Sequence, residues 1–122
     1  MASLNLLPRK SFEILLDDKS VVRGQYSLWS VKRYCDLKKL SLAQLEEQLS
    51  IENIALDDIV KLVLCAVEYT SRKENKGFSY TDVNVCDWIE ELGGITSENY
   101  HLLIGHAKSE DESKPSEEKK SL

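Results

Sequence analysis

Apolar residues recur along the chain at two spacings, and the change from one to the other marks the elements. Between residues 11 and 24, Phe12, Ile14 and Leu16 alternate with Glu13 and Leu15, which is the period of a strand. Asp17-Asp18-Lys19-Ser20 supply turn residues and Val21-Val22 return before Gly24, so a short β-hairpin is expected. A lone hairpin is marginal in water and must pack on helices. From Ser27 the spacing becomes helical. Leu28, Val31 and Cys35 predict a first helix over 27–39, capped by Ser27, with Lys38-Lys39 where cations suit the helix dipole. Ser41-Leu42-Ala43-Gln44 has the form of a capping box, opening a short helix with Leu42, Leu45 and Leu49 on one face.

The strongest helical pattern runs over 56–72. Asp57-Asp58 place negative charge at its start, and Ile59, Leu62, Val63, Ala66 and Val67 form a wide apolar stripe. With Val60, Leu64 and Cys65 it is apolar nearly all round for two turns, as in a helix at the centre of a bundle. After a polar loop, Phe78 and Tyr80 predict a brief extended contact. Thr81 or Asp82 then caps a helix holding Val85, Cys86, Trp88, Ile89 and Leu92, which stops at Gly93-Gly94. Thr96 or Ser97 starts a last helix with Tyr100, Leu103 and Ile104 that ends near Ala107. Residues 1–10 carry few structural signals and are expected to be a flexible arm. Residues 108–122 are almost entirely charged or small and offer nothing to repay the entropy of ordering, so a disordered acidic tail is expected there. The expected fold is mainly α: one domain over 11–107, a small bundle of about five helices with an N-terminal β-hairpin.

Composition narrows the function. The chain has 122 residues and a net charge of −5, with both signs mixed along most of its length. No Lys/Arg stripe with interleaved aromatics is evident, so nucleic-acid binding is disfavoured, and no polybasic segment points to a membrane surface. No apolar run approaches the roughly 20 residues that span a bilayer. Three widely spaced cysteines, Cys35, Cys65 and Cys86, are not a disulfide framework. The expected setting is cytoplasmic, with reduced thiols.

Candidate chemistry is sparse. His101 and His106 would lie roughly 140° apart on one helix and would not face a shared metal, so both are expected to be plain surface histidines. Each cysteine lies among Val, Leu and Ile at helical spacing and is expected to act as a small core residue. The paired carboxylates Glu46-Glu47, Asp57-Asp58 and Glu90-Glu91 fall at helix starts or on polar faces, where solvation explains them. No phosphate-cradling glycine loop is present. No catalytic residue, metal site or cofactor is expected, and the protein is expected not to be an enzyme. Trp29, Tyr34, Trp88 and Tyr100 are the candidate protein-binding side chains, because such residues are enriched in interface hot spots; the competing expectation is that they fill the core.

Three segments carry a resemblance. They are Trp29-Ser30-Val31-Lys32-Arg33-Tyr34-Cys35 followed by Ser41-Leu42-Ala43-Gln44-Leu45; the apolar helix from Ile59 that ends Cys65-Ala66-Val67-Glu68-Tyr69; and Tyr80-Thr81-Asp82-Val83 through Val85-Cys86-Asp87-Trp88-Ile89-Glu90 to Gly93-Gly94. With the hairpin before them, over roughly residues 11–105, this order resembles the tail assembly chaperones of tailed bacteriophages and prophages. The resemblance lies in pattern and order, since none of the pieces is a unique motif. It implies a protein of the host cell cytoplasm that binds the tape-measure protein, helps recruit tail-tube protein and is absent from the mature virion. It also implies self-association as a homo-oligomer, and a longer frameshifted product for which Glu117-Glu118-Lys119-Lys120 is the candidate slippage region. For such a role, apolar side chains of the helices at 27–39 and 81–92 are expected to line a groove for amphipathic client helices. Two other classes compete: a small helical adaptor or inhibitor unrelated to tails, and a small enzyme or enzyme subunit.

Overall fold

The computed structural model describes residues 2–41, 43–45 and 55–108. Their elements are β1 (Ser3–Leu7), β2 (Ser11–Leu15), β3 (Val21–Gln25), α1 (Leu28–Lys38), α2 (Leu56–Lys73), α3 (Asp82–Glu91) and α4 (Glu98–Lys108). The expected tail and most of the short helix after Ser41 lie outside the described residues.

The strands form one antiparallel sheet in the order β1-β2-β3. Its register sets Leu4 beside Ile14 and Val22, and Leu6 beside Phe12 and Gly24, so these positions share one face. Phe12, Ile14 and Val22 on that face are buried. The opposite face carries Ser3, Leu15 and Val21 in one row and Asn5, Glu13 and Arg23 in the next. Leu15 and Val21 stand in solvent. Gly24 is required where it lies, because a Cβ there would overlap the tip of the Phe12 ring.

This sheet overturns the expected mainly-α bundle with an appended hairpin. The fold is α+β, with helices packed on an antiparallel sheet. The hairpin over 11–24 is present as β2 and β3, but residues 3–7, expected to be part of a flexible arm, are a third strand. Two features hid it. Leu4 is half-buried and Leu6 and Leu7 are both exposed, so apolar and polar residues do not alternate cleanly along the strand. The turn into β2 puts Arg9 (φ 62°) and Lys10 (φ 58°) in the left-handed region, with the Ser11 N–H donating to the Pro8 carbonyl at 3.3 Å. Such turns usually announce themselves with Asn-Gly, and each non-glycine residue there costs about 1 kcal/mol or more.

The helices follow the sequence closely. Ser27 caps α1 in a reciprocal box with Ser30. Ser41 and Gln44 make the expected box as well, the Ser41 N–H donating to Gln44 Oε1 at 2.8 Å and the Gln44 N–H to Ser41 Oγ at 3.2 Å. Thr81 and Asn84 box the start of α3. At the end of α3 the N–H groups of Gly93 (φ 117°) and Gly94 (φ 86°) donate to the carbonyls of Glu90 and Ile89, a closure that needs left-handed residues. α2 is central, as its all-round apolarity predicted, but its neighbours are β3 on one side and α1 and α3 on others. α4 packs on β1. Four polar contacts tie α4 to the sheet and the residues that flank its strands: His106 Nε2 lies 3.0 Å from the Leu7 carbonyl and 2.8 Å from that of Ser11, Lys10 Nζ donates to the Ala107 carbonyl at 3.3 Å, and Tyr26 Oη donates to the Leu103 carbonyl at 3.3 Å. His106 is therefore half-buried and structural, in contrast to the plain surface role expected of it. Among the described residues no helix is long and apolar enough to cross a membrane.

Candidate protein-binding groove

One side of α2 is only partly covered by the rest of the fold: Cys65 and Glu68 are buried there, Lys61 and Leu64 half-buried and Arg72 exposed. Lys61, then Leu64 and Cys65, then Glu68 and Arg72 recur at steps of three or four residues and so share a side of the helix. α1 supplies one wall through Arg33 and Leu37, and the segment after α2 supplies the other through Lys76 and Phe78. The groove between them has a volume of about 490 Å³. A whole helix is roughly 10 Å across, so this space takes the side chains of a helix lying over it. Its apolar lining is only partly shielded: Leu37 is 43 % exposed, and Leu64 and Phe78 are half-buried.

The rim is ordered by ion pairs. Glu68, almost fully buried, accepts from Arg33 Nε at 3.3 Å on one oxygen and from Arg72 Nη2 at 3.0 Å and Nε at 3.2 Å on the other. Arg72 also lies over the Trp29 ring, 5.6 Å from its centroid. Lys61 pairs with Asp82 at 2.6 Å and Lys76 with Glu74 at 3.3 Å. The Cys65 thiol lies beneath the groove with no exposed surface, and burial, with Glu68 adding to it, pushes that thiol up to about 12. It is held neutral at ordinary pH and is a poor nucleophile.

The four candidate binding residues fall in different places. Tyr34 is buried, and its hydroxyl donates to Asp58 Oδ1 at 2.8 Å; burial first, and then this carboxylate, push the phenol above its ordinary value. Lys38 closes the same cluster, 2.6 Å from Asp57 and 3.1 Å from Asp58, which locks α1 to the start of α2. Trp88 is buried edge-on to Tyr80, with ring centroids 4.9 Å apart, and Tyr100 is buried on α4. Only Trp29 keeps part of its surface in solvent, against Tyr69 and Arg72 at the edge of the rim. The expected wall from the helix at 81–92 is replaced: α3 reaches the groove through the Lys61–Asp82 pair alone, and Phe78 stands where its apolar face was expected. Among the cysteines, Cys35 and Cys65 are buried as expected, whereas Cys86 is exposed. Among the described residues no cluster of His, Cys, Asp or Glu is arranged to hold a metal ion.

The sequence held one signal of this groove. Lys61 interrupts the longest apolar run, and Glu68 and Arg72 continue the same side of the helix. That charged strip marks the side where the helix is only partly covered. The facing residues Arg33 and Phe78 come from other elements, and no local pattern brings them together.

No protein-family profile, curated protein or solved structure matches the chain. The tail-chaperone resemblance therefore rests on the pattern of the residues quoted above.

Proposed function

We propose that the protein works by holding helical segments of another protein in the α1–α2 groove, without chemistry of its own. The observation that carries this reading is the partly exposed apolar lining of Leu37, Leu64 and Phe78 in a concave site on an otherwise covered helix. A helix in a groove is recognised through apolar side chains spaced along one of its faces, and a short concave strip suits that mode. Within this reading the client is the tape-measure protein of a tailed phage, held before and during tail assembly while tail-tube protein is recruited around it. The order of elements that resembles tail assembly chaperones supports that choice. A client with long amphipathic helices would otherwise aggregate, and binding its apolar stripe keeps it in solution.

Co-expression with a tape-measure protein tests the proposal. The client is expected in the soluble fraction and to co-purify. A client that stays insoluble while this protein is folded and soluble contradicts the chaperone role.

A further inference from the structure

The charged groups of the groove are unevenly satisfied. Four cations line it, Arg33, Lys61, Arg72 and Lys76; Lys61 and Lys76 each have a carboxylate of their own, Asp82 and Glu74, whereas Arg33 and Arg72 share Glu68. Glu68 is shared by two guanidinium groups, so it satisfies neither fully. Arg33 gives it only Nε, which leaves both terminal nitrogens without a hydrogen bond among the described residues, and Arg72 keeps one terminal nitrogen free in the same way. These side chains are 42 % and 65 % exposed, so an incoming group reaches them without displacing Glu68.

We infer that the groove selects acidic amphipathic helices: segments with an apolar stripe of Leu or Phe type flanked by Asp or Glu. The apolar stripe would rest on Leu37, Leu64 and Phe78, and the flanking carboxylates would take the spare guanidinium donors of Arg33 and Arg72 in the paired geometry that arginine favours. Lys76, exposed at the opposite wall, adds a screened attraction. A basic helix meets like charge at Arg33 and Arg72 and is disfavoured, which is specificity by repulsion as much as by attraction. Single-stranded nucleic acid is the other polyanion to consider. It suits the site less, because Phe78 is the one aromatic ring in the lining where successive bases would need several to stack on, and the Glu68 carboxylate would repel a phosphate. This inference rests on the helix-holding reading and adds the sign of the client's charge.

The test uses the full chain and two designed helical peptides with an identical leucine face, one flanked by glutamates and the other by lysines. Affinity is read by calorimetry and location by NMR shifts of the Leu37 and Leu64 methyl groups. The glutamate peptide is expected to bind at least about tenfold tighter at low salt, with the gap closing as salt rises from about 0.05 to about 0.5 M. Lys76→Glu, an exposed change that also removes the pair with Glu74 and is checked for folding by circular dichroism, is expected to weaken the glutamate peptide several-fold and to leave the lysine peptide equal or stronger. Equal binding of the two peptides, or tighter binding of the lysine one, overturns the charge inference while leaving the helix-holding reading intact. Binding of neither peptide overturns both. A single-stranded oligonucleotide that displaces the glutamate peptide at lower concentration than that peptide's own binding requires would also overturn it, in favour of a nucleic-acid site.

Discussion

Two regions of this molecule leave leucine-sized side chains in water to the same degree, and they differ in everything else. On the outer face of the sheet, Leu15 is 40 % and Val21 49 % exposed; in the groove, Leu37 is 43 % exposed. Leu15 lies in the row next to a Glu13–Arg23 pair that meets at 2.8 Å, and Val21 borders a smaller hollow of about 190 Å³ with Val67, Glu74 and Tyr80. The groove leucine faces a concave strip whose guanidinium groups retain spare donors. Scattered apolar exposure is normal for a folded surface and marks nothing by itself. Shape and unsatisfied charge around the apolar atoms separate a docking site from an ordinary surface.

The sharpest form of the comparison lies within the sheet itself. Phe12 on the inner face has no exposed surface, whereas Leu15 belongs to the outer face. Phe12→Ala is expected to cost about 3–5 kcal/mol, a large part of the stability of a domain this size, while Leu15→Ala stays within about 1 kcal/mol. Urea unfolding of the two variants reads the difference; equal costs would mean that the two faces are not as assigned. Gly24→Ala forces the Phe12 ring aside and is expected to cost about 1–3 kcal/mol in the same melts.

The next contrast concerns binding. Leu64→Asp, with Phe78→Ala as a second and gentler variant, is expected to reduce client capture about tenfold or more while the protein stays folded by circular dichroism. Leu15→Asp is expected to leave capture unchanged. A loss of capture from Leu15→Asp alone would move the site to the sheet. Glu68→Gln acts on the rim: it removes the carboxylate that orders both arginines, at an expected cost of about 1–2 kcal/mol because both partners are partly exposed and screened. A thermal melt shift of several degrees checks it.

Alkali provides a smaller and graded effect. Burial pushes the Cys65 thiol up from 9.0 to about 12 and raises Tyr26 and Tyr34 above their ordinary values. The unfolded chain releases these protons at lower pH than the fold does. The stability they supply is therefore complete below about pH 9 and is lost as pH climbs toward about 12. Denaturant midpoints should fall across that window, and Cys65→Ala should shallow the fall; a midpoint flat to pH 12 would contradict the burial of these groups. Thiol labelling gives the smallest signal. Cys86 is expected to react in the native protein, and Cys35 and Cys65 only on unfolding.

What was legible in the sequence was local. Ser27, Ser41 with Gln44, Thr81 and Gly93-Gly94 each announce a helix end by a side chain or a backbone need, and each is used as expected. The hairpin was legible because Asp17–Ser20 is rich in turn formers. β1 was not, because Arg9 and Lys10 adopt a conformation their residue types disfavour. The all-round apolarity of α2 correctly signalled a central helix, but periodicity does not say whether a sheet or another helix lies against it. Aromatic residues were a poor guide to the site: Tyr34, Trp88 and Tyr100 fill the interior, and the groove is lined instead by leucines, Phe78 and long cations whose meeting depends on tertiary packing.

The most direct test places a photoreactive amino acid at Leu37 in one protein and at Leu15 in another, two positions matched in exposure, and irradiates each in cells that co-express the tape-measure protein. A cross-linked adduct with the client from position 37 and none from position 15 is the expected result. Adducts from position 15 alone, or from both positions equally, would contradict the groove as the place where the client is held.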